Sequence, residues 1–327
     1  MHRILFADAF TLTEGAERTI AAMGSILRLS LDERERFLEL SREADVIVAE
    51  YASVDASILD RAENLKGVVS YGVGVNHIDL EEASKRGIPV ANCQGGNAQA
   101  VAELAVSLML ECLRHTGEAH RYVTSGRWGA ADSASLPEWM QGRELRGKTL
   151  GIIGPGNIGG RIAAIGEAFG MKILVTSGRA NGHPTYEWLP LEDLLSRSDI
   201  VSVNVPLTAD TKGLLSGERL SLMKKGAVLI ATSRGGIVDE EALAGLLRSG
   251  HLAGAGLDVF EREPLPATSP LPGAPNVVLT PHMGGSTHES VANISDIIVS
   301  CCASLLRGDI PDTTVNREML RQRSSSK

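Results

Sequence analysis

Cysteine is scarce in this chain of 327 residues, and the little there is follows no useful pattern. Cys93, Cys112, Cys301 and Cys302 form neither a C-x-x-C pair nor a zinc-ligand spacing. That excludes a disulfide scaffold and gives no reason to expect a metal. The four read as small apolar side chains in a reducing compartment. Positive charge is also in deficit, with 32 Lys and Arg against 40 Asp and Glu for a net charge of −8. A nucleic-acid surface needs a basic field, so that class of partner is excluded. Any anionic ligand must then be held by local donors rather than by the overall field. Long apolar runs are missing as well: the stretch 101–113 is interrupted by Glu103 and Glu111 and makes no membrane span. Met1 to Asp8 resembles a first strand rather than a secretory signal. Repeats and long low-complexity tracts are absent too. The expectation is a cytoplasmic protein with no membrane partner.

What is present is an alternation of short β-rich and helical stretches, over a length sufficient for two cores. In the first hundred residues the expected strands are 4–7, 26–29, 46–49, 67–70 and 89–91. Helical patterns lie between them at 14–23, 33–42, 56–62 and 80–86. Such alternation builds a parallel sheet flanked by helices. A helix begins at Ala98, with Asn97 placed as its N-cap and Val101, Leu104, Ala105, Leu108, Met109, Cys112 and Leu113 at helical spacing. The stretch 116–146 is less regular and reads as a linker or an arm. A second series then supplies strands at 149–153, 172–176, 200–205, 227–232, 254–258 and 277–280, with helices at 161–169, 191–197, 217–223 and 240–248. A last helix is expected at 289–306, followed by a disordered polar tail over 321–327. The fold class is α/β, with two doubly wound parallel-sheet domains.

The sharpest motif is Gly154-Pro155-Gly156-Asn157-Ile158-Gly159, set between the strand at 149–153 and a helix. In that place each glycine has a task. The first makes the tight turn, the second admits a pyrophosphate to the backbone, and the third lets helix and strand pack closely. Amides at the helix start then face the phosphates. A glycine-rich turn without a ligand is the bland alternative, but the strand–loop–helix setting favours a dinucleotide site.

Ligands of an open parallel sheet bind beyond the carboxyl ends of its strands. Those positions here hold Ser177-Gly178-Arg179, Pro206-Leu207-Thr208, Ser233-Arg234-Gly235-Gly236, Asp258 to Glu263, and Pro281-His282. Singly each has a dull explanation: Arg234 capping a helix or pairing with Asp239, Glu263 as a solvated loop acid, His282 as a structural histidine. Jointly, beside a nucleotide loop, they argue for catalysis.

These blocks carry a resemblance. Gly72-Val73-Gly74-Val75-Asn76-His77-Ile78-Asp79, Val101-Ala102-Glu103, Gly147 to Gly154, Val205-Pro206-Leu207-Thr208, Ser233 to Asp239, Gly256 to Pro264 and Thr280 to Gly285 occur in the order found in D-isomer-specific 2-hydroxyacid dehydrogenases. The chain resembles that family over nearly its whole length. The resemblance implies a catalytic trio of Arg234, Glu263 and His282. It also implies a Rossmann nucleotide domain at 98–286 with a dimerisation arm near 116–146, and a flavodoxin-like substrate domain made of 1–97 and 287–327. His282 would donate the proton in reducing a 2-oxoacid, as imidazoles do near neutrality. Glu263 would hold the ring, and Arg234 would grip the substrate's oxygens with its planar fork. Val73 and Gly74 are implied as amide donors to the substrate carboxylate, in a cleft that closes during the reaction. Asn76 and His77 depart from the aspartate and asparagine common there. Glu50 and Tyr51, after the strand at 46–49, are candidates to line the pocket mouth.

Candidate cofactor contacts are Gly154, Gly156, Asn157, Ile158 and Gly159, then Ser177 and Arg179, then Pro206, Thr211, Thr232 and Asp258. An acidic residue ends the second strand in NAD users. Ser177 stands there instead and Arg179 follows, so NADP(H) is expected over NAD(H), with NAD(H) still usable. Pro137-Glu138-Trp139-Met140-Gln141-Gly142 together with Ser177-Gly178-Arg179 is similar to the glyoxylate/hydroxypyruvate reductases of the family. That similarity makes Trp139 a candidate substrate-binding residue contributed across a homodimer, the alternative being an aromatic that packs the interface. Two rivals remain open: a relative oxidising formate or phosphite, and a dinucleotide-sensing binding protein like the corepressors that share the fold.

Overall fold

Val46–Ala49 and Gly67–Ser70 are buried at every position, as strands covered by helices on both faces must be. The computed structural model describes residues 1–30, 33–128, 136–178 and 186–325. The chain divides into two units, Met1–Asn97 with Ser286–Lys327, and Ala98–Gly285. In order, the first unit opens with β1 (His2–Phe6), α1 (Glu14–Met23), β2 (Gly24–Arg28), α2 (Arg34–Leu40), β3 (Val46–Ala49), α3 (Ala56–Arg61), β4 (Gly67–Ser70), α4 (Leu80–Arg86) and β5 (Val90–Asn92). The second unit contains α5 (Ala98–Arg114), α6 (Thr116–Thr124), β6 (Thr149–Ile153), α7 (Asn157–Ala168), β7 (Lys172–Thr176), β8 (Glu187–Trp188), α8 (Leu191–Arg197), β9 (Ile200–Val203), α9 (Gly217–Ser221), β10 (Val228–Ala231), α10 (Glu240–Arg248), β11 (Gly254–Leu257) and β12 (Val277–Leu279). The chain then rejoins the first unit through α11 (His288–Arg307) and α12 (Arg317–Ser325).

Both sheets are parallel throughout. The first has the order β2-β1-β3-β4-β5, and the second β12-β11-β10-β9-β6-β7-β8. In each, the order reverses beside the first strand of the unit, so two successive connections leave in opposite directions. That switch point is where an open α/β sheet leaves a crevice for a ligand. Helix α11 has the length and apolar character of a membrane span. Its apolar face is accounted for: Ile294, Ile298, Cys301, Cys302 and Leu305 pack with Ile4, Phe6, Val46, Val48 and Val69 in the core of the first unit. All four cysteines are buried and free, and burial pushes the thiols of Cys93 and Cys112 up to about 12, which leaves them unreactive.

Three sequence readings need correction. Residues 116–124 form α6, where no regular element was expected; none of its residues is buried. The tail expected to be disordered from 321 is helical to Ser325, with Leu320 buried and Met319 meeting the Ser84 hydroxyl of α4. Asn97 does not cap α5, since its Oδ1 has no hydrogen-bond partner among the described residues. A smaller shift concerns α7, which starts four residues before the expected 161, because the glycine loop itself turns into the helix.

Candidate active site

The loop after β6 follows the three-glycine logic atom by atom. Gly154 has φ +89°, and a Cβ there would lie 2.8 Å from Val205 Cγ1, so the turn tolerates no side chain. Gly156 N-caps α7 and has open space where its Cβ would be. A Cβ on Gly159 would come within 2.3 Å of the Gly154 carbonyl and 2.9 Å of Ile152, so helix and strand approach as closely as a missing side chain permits. The Gly154 amide donates to Thr176 O at 2.9 Å, which brings the loop against the end of β7 and beside Ser177. Ser177 and Gly178 offer no carboxylate at that point. Arg179 lies outside the described residues.

On the other side of the switch point, three strand ends deliver the expected trio. Arg234 follows β10 and its Nη1 donates to Ser233 O at 2.7 Å. His282 follows β12 in a left-handed conformation, φ +53°, with its amide donating to Thr280 O. Its Nδ1 lies 2.7 Å from Glu263 Oε2. The other oxygen of Glu263 accepts the Phe260 amide at 2.9 Å. Burial pushes the Glu263 carboxyl up, but the hydrogen bonds from His282 and Phe260 and the charges of His282 and Arg234 outweigh it and hold the group below its ordinary range. Glu240 shows the opposite balance: burial and the charges of Glu261 and Glu263 raise its carboxyl despite a bond from the Glu261 amide.

The histidine loop is anchored from beneath. Asp258, 1% exposed, accepts Thr280 Oγ1 at 2.7 Å and Met283 N at 2.9 Å on one oxygen, and Gly284 N at 2.8 Å on the other. Gly235 sets the spacing from the arginine side, because a Cβ there would sit 1.7 Å from the Phe260 carbonyl oxygen. The sequence marks Asp258 as a candidate cofactor contact and Gly235 as part of a strand-end block, but neither as a support of the trio. They depend on contacts between segments more than twenty residues apart.

Thr232 and Ser233 end in buried hydroxyls with no hydrogen-bond partner among the described residues. Orphan donors of this kind beside a glycine-rich loop fit a bound nicotinamide dinucleotide, which brings acceptors of its own. Pro206 and Thr211 instead close on each other, with Thr211 Oγ1 donating to Pro206 O at 2.6 Å. Trp139 stands elsewhere in the same unit. It borders a cavity of about 350 Å³ with Leu113, Glu118, Arg143, Ala253 and Asn276. Its ring meets Tyr122 edge-on at 6.0 Å. Ala253 and Asn276 precede β11 and β12, whereas Asp258 and His282 follow them, so Trp139 lies toward the opposite edge of the sheet from the trio.

In the first unit, the turn after β4 holds Val73 and Gly74. Gly72 (φ +113°) gives its carbonyl to Cys93 N at 2.7 Å, Val73 gives its own to Asn92 Nδ2 at 2.7 Å, and Gly74 to Ser70 Oγ at 2.6 Å. Carbonyl and amide point opposite ways across a trans peptide, so the amides of Val73, Gly74 and Val75 turn away from those anchors. Consecutive outward amides make an anion-binding concavity. Nearby, Asp8 accepts the amides of Glu50 (2.6 Å), Tyr51 (3.1 Å) and Ala52 (2.8 Å), fixing the loop after β3 on the same sheet edge.

Comparison with known proteins bears on the fold and the family. Residues 106–284 match the family pattern described as "D-isomer specific 2-hydroxyacid dehydrogenase, NAD binding domain". A glyoxylate reductase of Thermofilum pendens is 41% identical over 300 residues, covering 90% of this chain and 88% of that protein. A crystal structure from Thermus thermophilus superposes with a TM-score of 0.87 at 38% identity, over 96% of this chain and 99% of that one. The NADPH-dependent glyoxylate/hydroxypyruvate reductase of Sinorhizobium meliloti, solved with NADP and malonate, does so with a TM-score of 0.86 at 30% identity, covering 96% of each.

Proposed function

Because this chain belongs to the D-isomer-specific 2-hydroxyacid dehydrogenase family, we propose that it reduces small 2-oxoacids to D-2-hydroxyacids, with glyoxylate and hydroxypyruvate as preferred substrates and NADPH as preferred reductant. The observation that carries the reading is the 2.7 Å pairing of His282 Nδ1 with Glu263, within reach of the charge of Arg234 in the loop after β10. With Nδ1 held by the carboxylate, Nε2 is the nitrogen left to serve the substrate. As negative charge builds on the carbonyl oxygen, His282 gives it a proton through Nε2. Glu263, kept ionised, supports the charged ring before the transfer. Arg234 draws the carboxylate and the carbonyl oxygen into line with its two parallel N–H groups. The amides of Val73 and Gly74 bind the carboxylate as well. In the reverse direction the neutral ring takes the hydroxyl proton.

Gly154, Gly156, Asn157, Ile158 and Gly159 would hold the pyrophosphate, Ser177 and Arg179 the ribose phosphate, and Pro206, Thr211, Thr232 and Asp258 the remainder of the dinucleotide, which supplies the hydride when bound. The absence of an acid at Ser177 and Gly178 supports NADPH over NADH, since nothing there repels a 2′-phosphate. The relatives' glyoxylate reductase activity supports the substrate class. Initial rates with glyoxylate, hydroxypyruvate, pyruvate and bulkier oxoacids, each with both nicotinamides, test the proposal. Higher kcat/KM with NADPH and the two smallest oxygenated acids is expected. Turnover of formate or phosphite instead, or no turnover, would defeat it.

A further inference from the structure

The turn that presents Val73 and Gly74 does not hold its shape by itself. Its three carbonyls are drawn inward by three donors, Ser70 Oγ at the end of β4, Asn92 Nδ2 at the end of β5, and the amide of Cys93 just after it. Ser70 and Asn92 are register partners across those strands, so the two side-chain donors stand side by side. Ser70 is 0% and Asn92 6% exposed, which keeps water from competing for the bonds. The Asn92 amide also carries a burden. Its Oδ1 is buried with no hydrogen bond among the described residues, a state that costs stability and that an aliphatic side chain of similar size would avoid. The amide group is accounted for by its donor alone, the one that reaches Val73 O.

We propose that Ser70 and Asn92 are positioning residues that pull the Gly74 and Val73 carbonyls inward and thereby present the Val75 and Gly74 amides, beside that of Val73, as a seat for the substrate's carboxylate. The inference rests on the reading that these amides receive a 2-oxoacid. Neither residue touches the substrate, and both act through peptide planes. Without the Ser70 hydroxyl the 74–75 peptide is free to rotate. Without the Asn92 amide the 73–74 peptide is free. In each case an outward N–H is exchanged for an outward carbonyl during part of the time, and a carbonyl repels the anion it should hold.

The variants are Ser70→Ala, which deletes one hydroxyl, Asn92→Ala, and Ser70→Thr, which keeps a hydroxyl and serves as the rescue. Each full-length protein is assayed with glyoxylate and NADPH, titrated with NADPH by fluorescence, melted, and titrated calorimetrically with oxalate in the presence of NADP⁺. The two alanine variants should raise KM for glyoxylate and Kd for oxalate roughly tenfold, the loss of about one charge-assisted contact. Their kcat should fall far less, their NADPH affinity should stay put, and Ser70→Thr should recover most of the loss. Wild-type oxalate affinity in a Ser70→Ala protein that melts normally would overturn the proposal. So would a fall in kcat with KM unmoved, or equal weakening of NADPH. Oxalate binding does not depend on turnover. A wild-type protein that binds oxalate but reduces no 2-oxoacid would refute the proposed activity and leave the seat standing, whereas one that binds no oxalate would refute the seat.

Discussion

Glu263 is asked to do two things, and its two oxygens divide them. Oε1 accepts the Phe260 amide and fixes the side chain, while Oε2 meets His282 Nδ1. Its carboxyl lies below the ordinary carboxylate range, so the carboxylate is fully charged above that range and loses its charge only as pH falls through the lowered value. Glu263→Gln keeps a bond to the ring without the charge that supports its protonated form. Steady-state rates should show kcat for reduction down roughly 10²-fold, with NADPH affinity measured by fluorescence changed far less. A variant that keeps wild-type kcat would deny the carboxylate any part beyond holding the ring. Gly235 is the other sensitive position, because an added Cβ would collide with backbone rather than with a movable side chain. Gly235→Ala should therefore separate the Arg234 and Glu263 loops and reduce kcat/KM by roughly 10²-fold, as a displacement near 1 Å can, while NADPH affinity measured by fluorescence changes far less. Arg234, Glu263 and His282 were legible in the sequence because reactive side chains at successive strand ends form a pattern along the chain. Gly235, Ser70 and Asn92 were not, because their parts are set by distances between strands that no local spacing reveals.

Among secondary-structure elements, the strands were read with small errors at their ends, since buried parallel strands are short apolar runs between breakers. The elements missed are those without such a run: α6 buries none of its residues, β8 has two residues, Glu187–Trp188, and α12 is polar over most of its length. What orders α12 is tertiary. Before it, the chain runs antiparallel beside β5, with Val315 N donating to Val90 O, Asn92 N to Thr313 O, and Thr314 bridging Ala91. Asn316, 2% exposed, then accepts the Val90 amide on Oδ1 and donates from Nδ2 to Ser84 Oγ and Ile88 O. A single side chain thus ties the C-terminal segment to β5 and α4, and covers a sheet edge that would otherwise be open. Asn316→Ala should cost about 2–3 kcal/mol, from three buried bonds and the groups they leave behind. Calorimetry should register this as a melting point lower by roughly 5–10 °C. An unchanged melting point would mean that the segment is held by its backbone pairing alone.

For the molecule as a whole, the placement of Trp139 ties its proposed role in substrate choice to a second copy of the chain. Strands β11 and β12 run parallel. Trp139 borders residues that enter them, and the trio includes residues that leave them. A tryptophan so placed cannot line its own chain's Arg234–Glu263–His282 site without the arm moving across the sheet. If it shapes substrate choice, as the likeness to glyoxylate/hydroxypyruvate reductases suggests, the site it shapes belongs to a second copy. That has a consequence which packing of an interface alone does not share. Trp139→Ala should alter the ranking of oxoacids more than the affinity for NADPH, and His282→Ala should be nearly inactive. In a hybrid of the two variants, assembled by co-expression and purified with two different tags, the chain that retains His282 lacks Trp139 but faces a partner that supplies it. Half of the hybrid's sites should then show wild-type oxoacid ranking at close to wild-type turnover. A hybrid that keeps the altered ranking of Trp139→Ala would place the indole's effect within its own chain, and a protein that sediments as a monomer at assay concentration would leave no second chain to provide it.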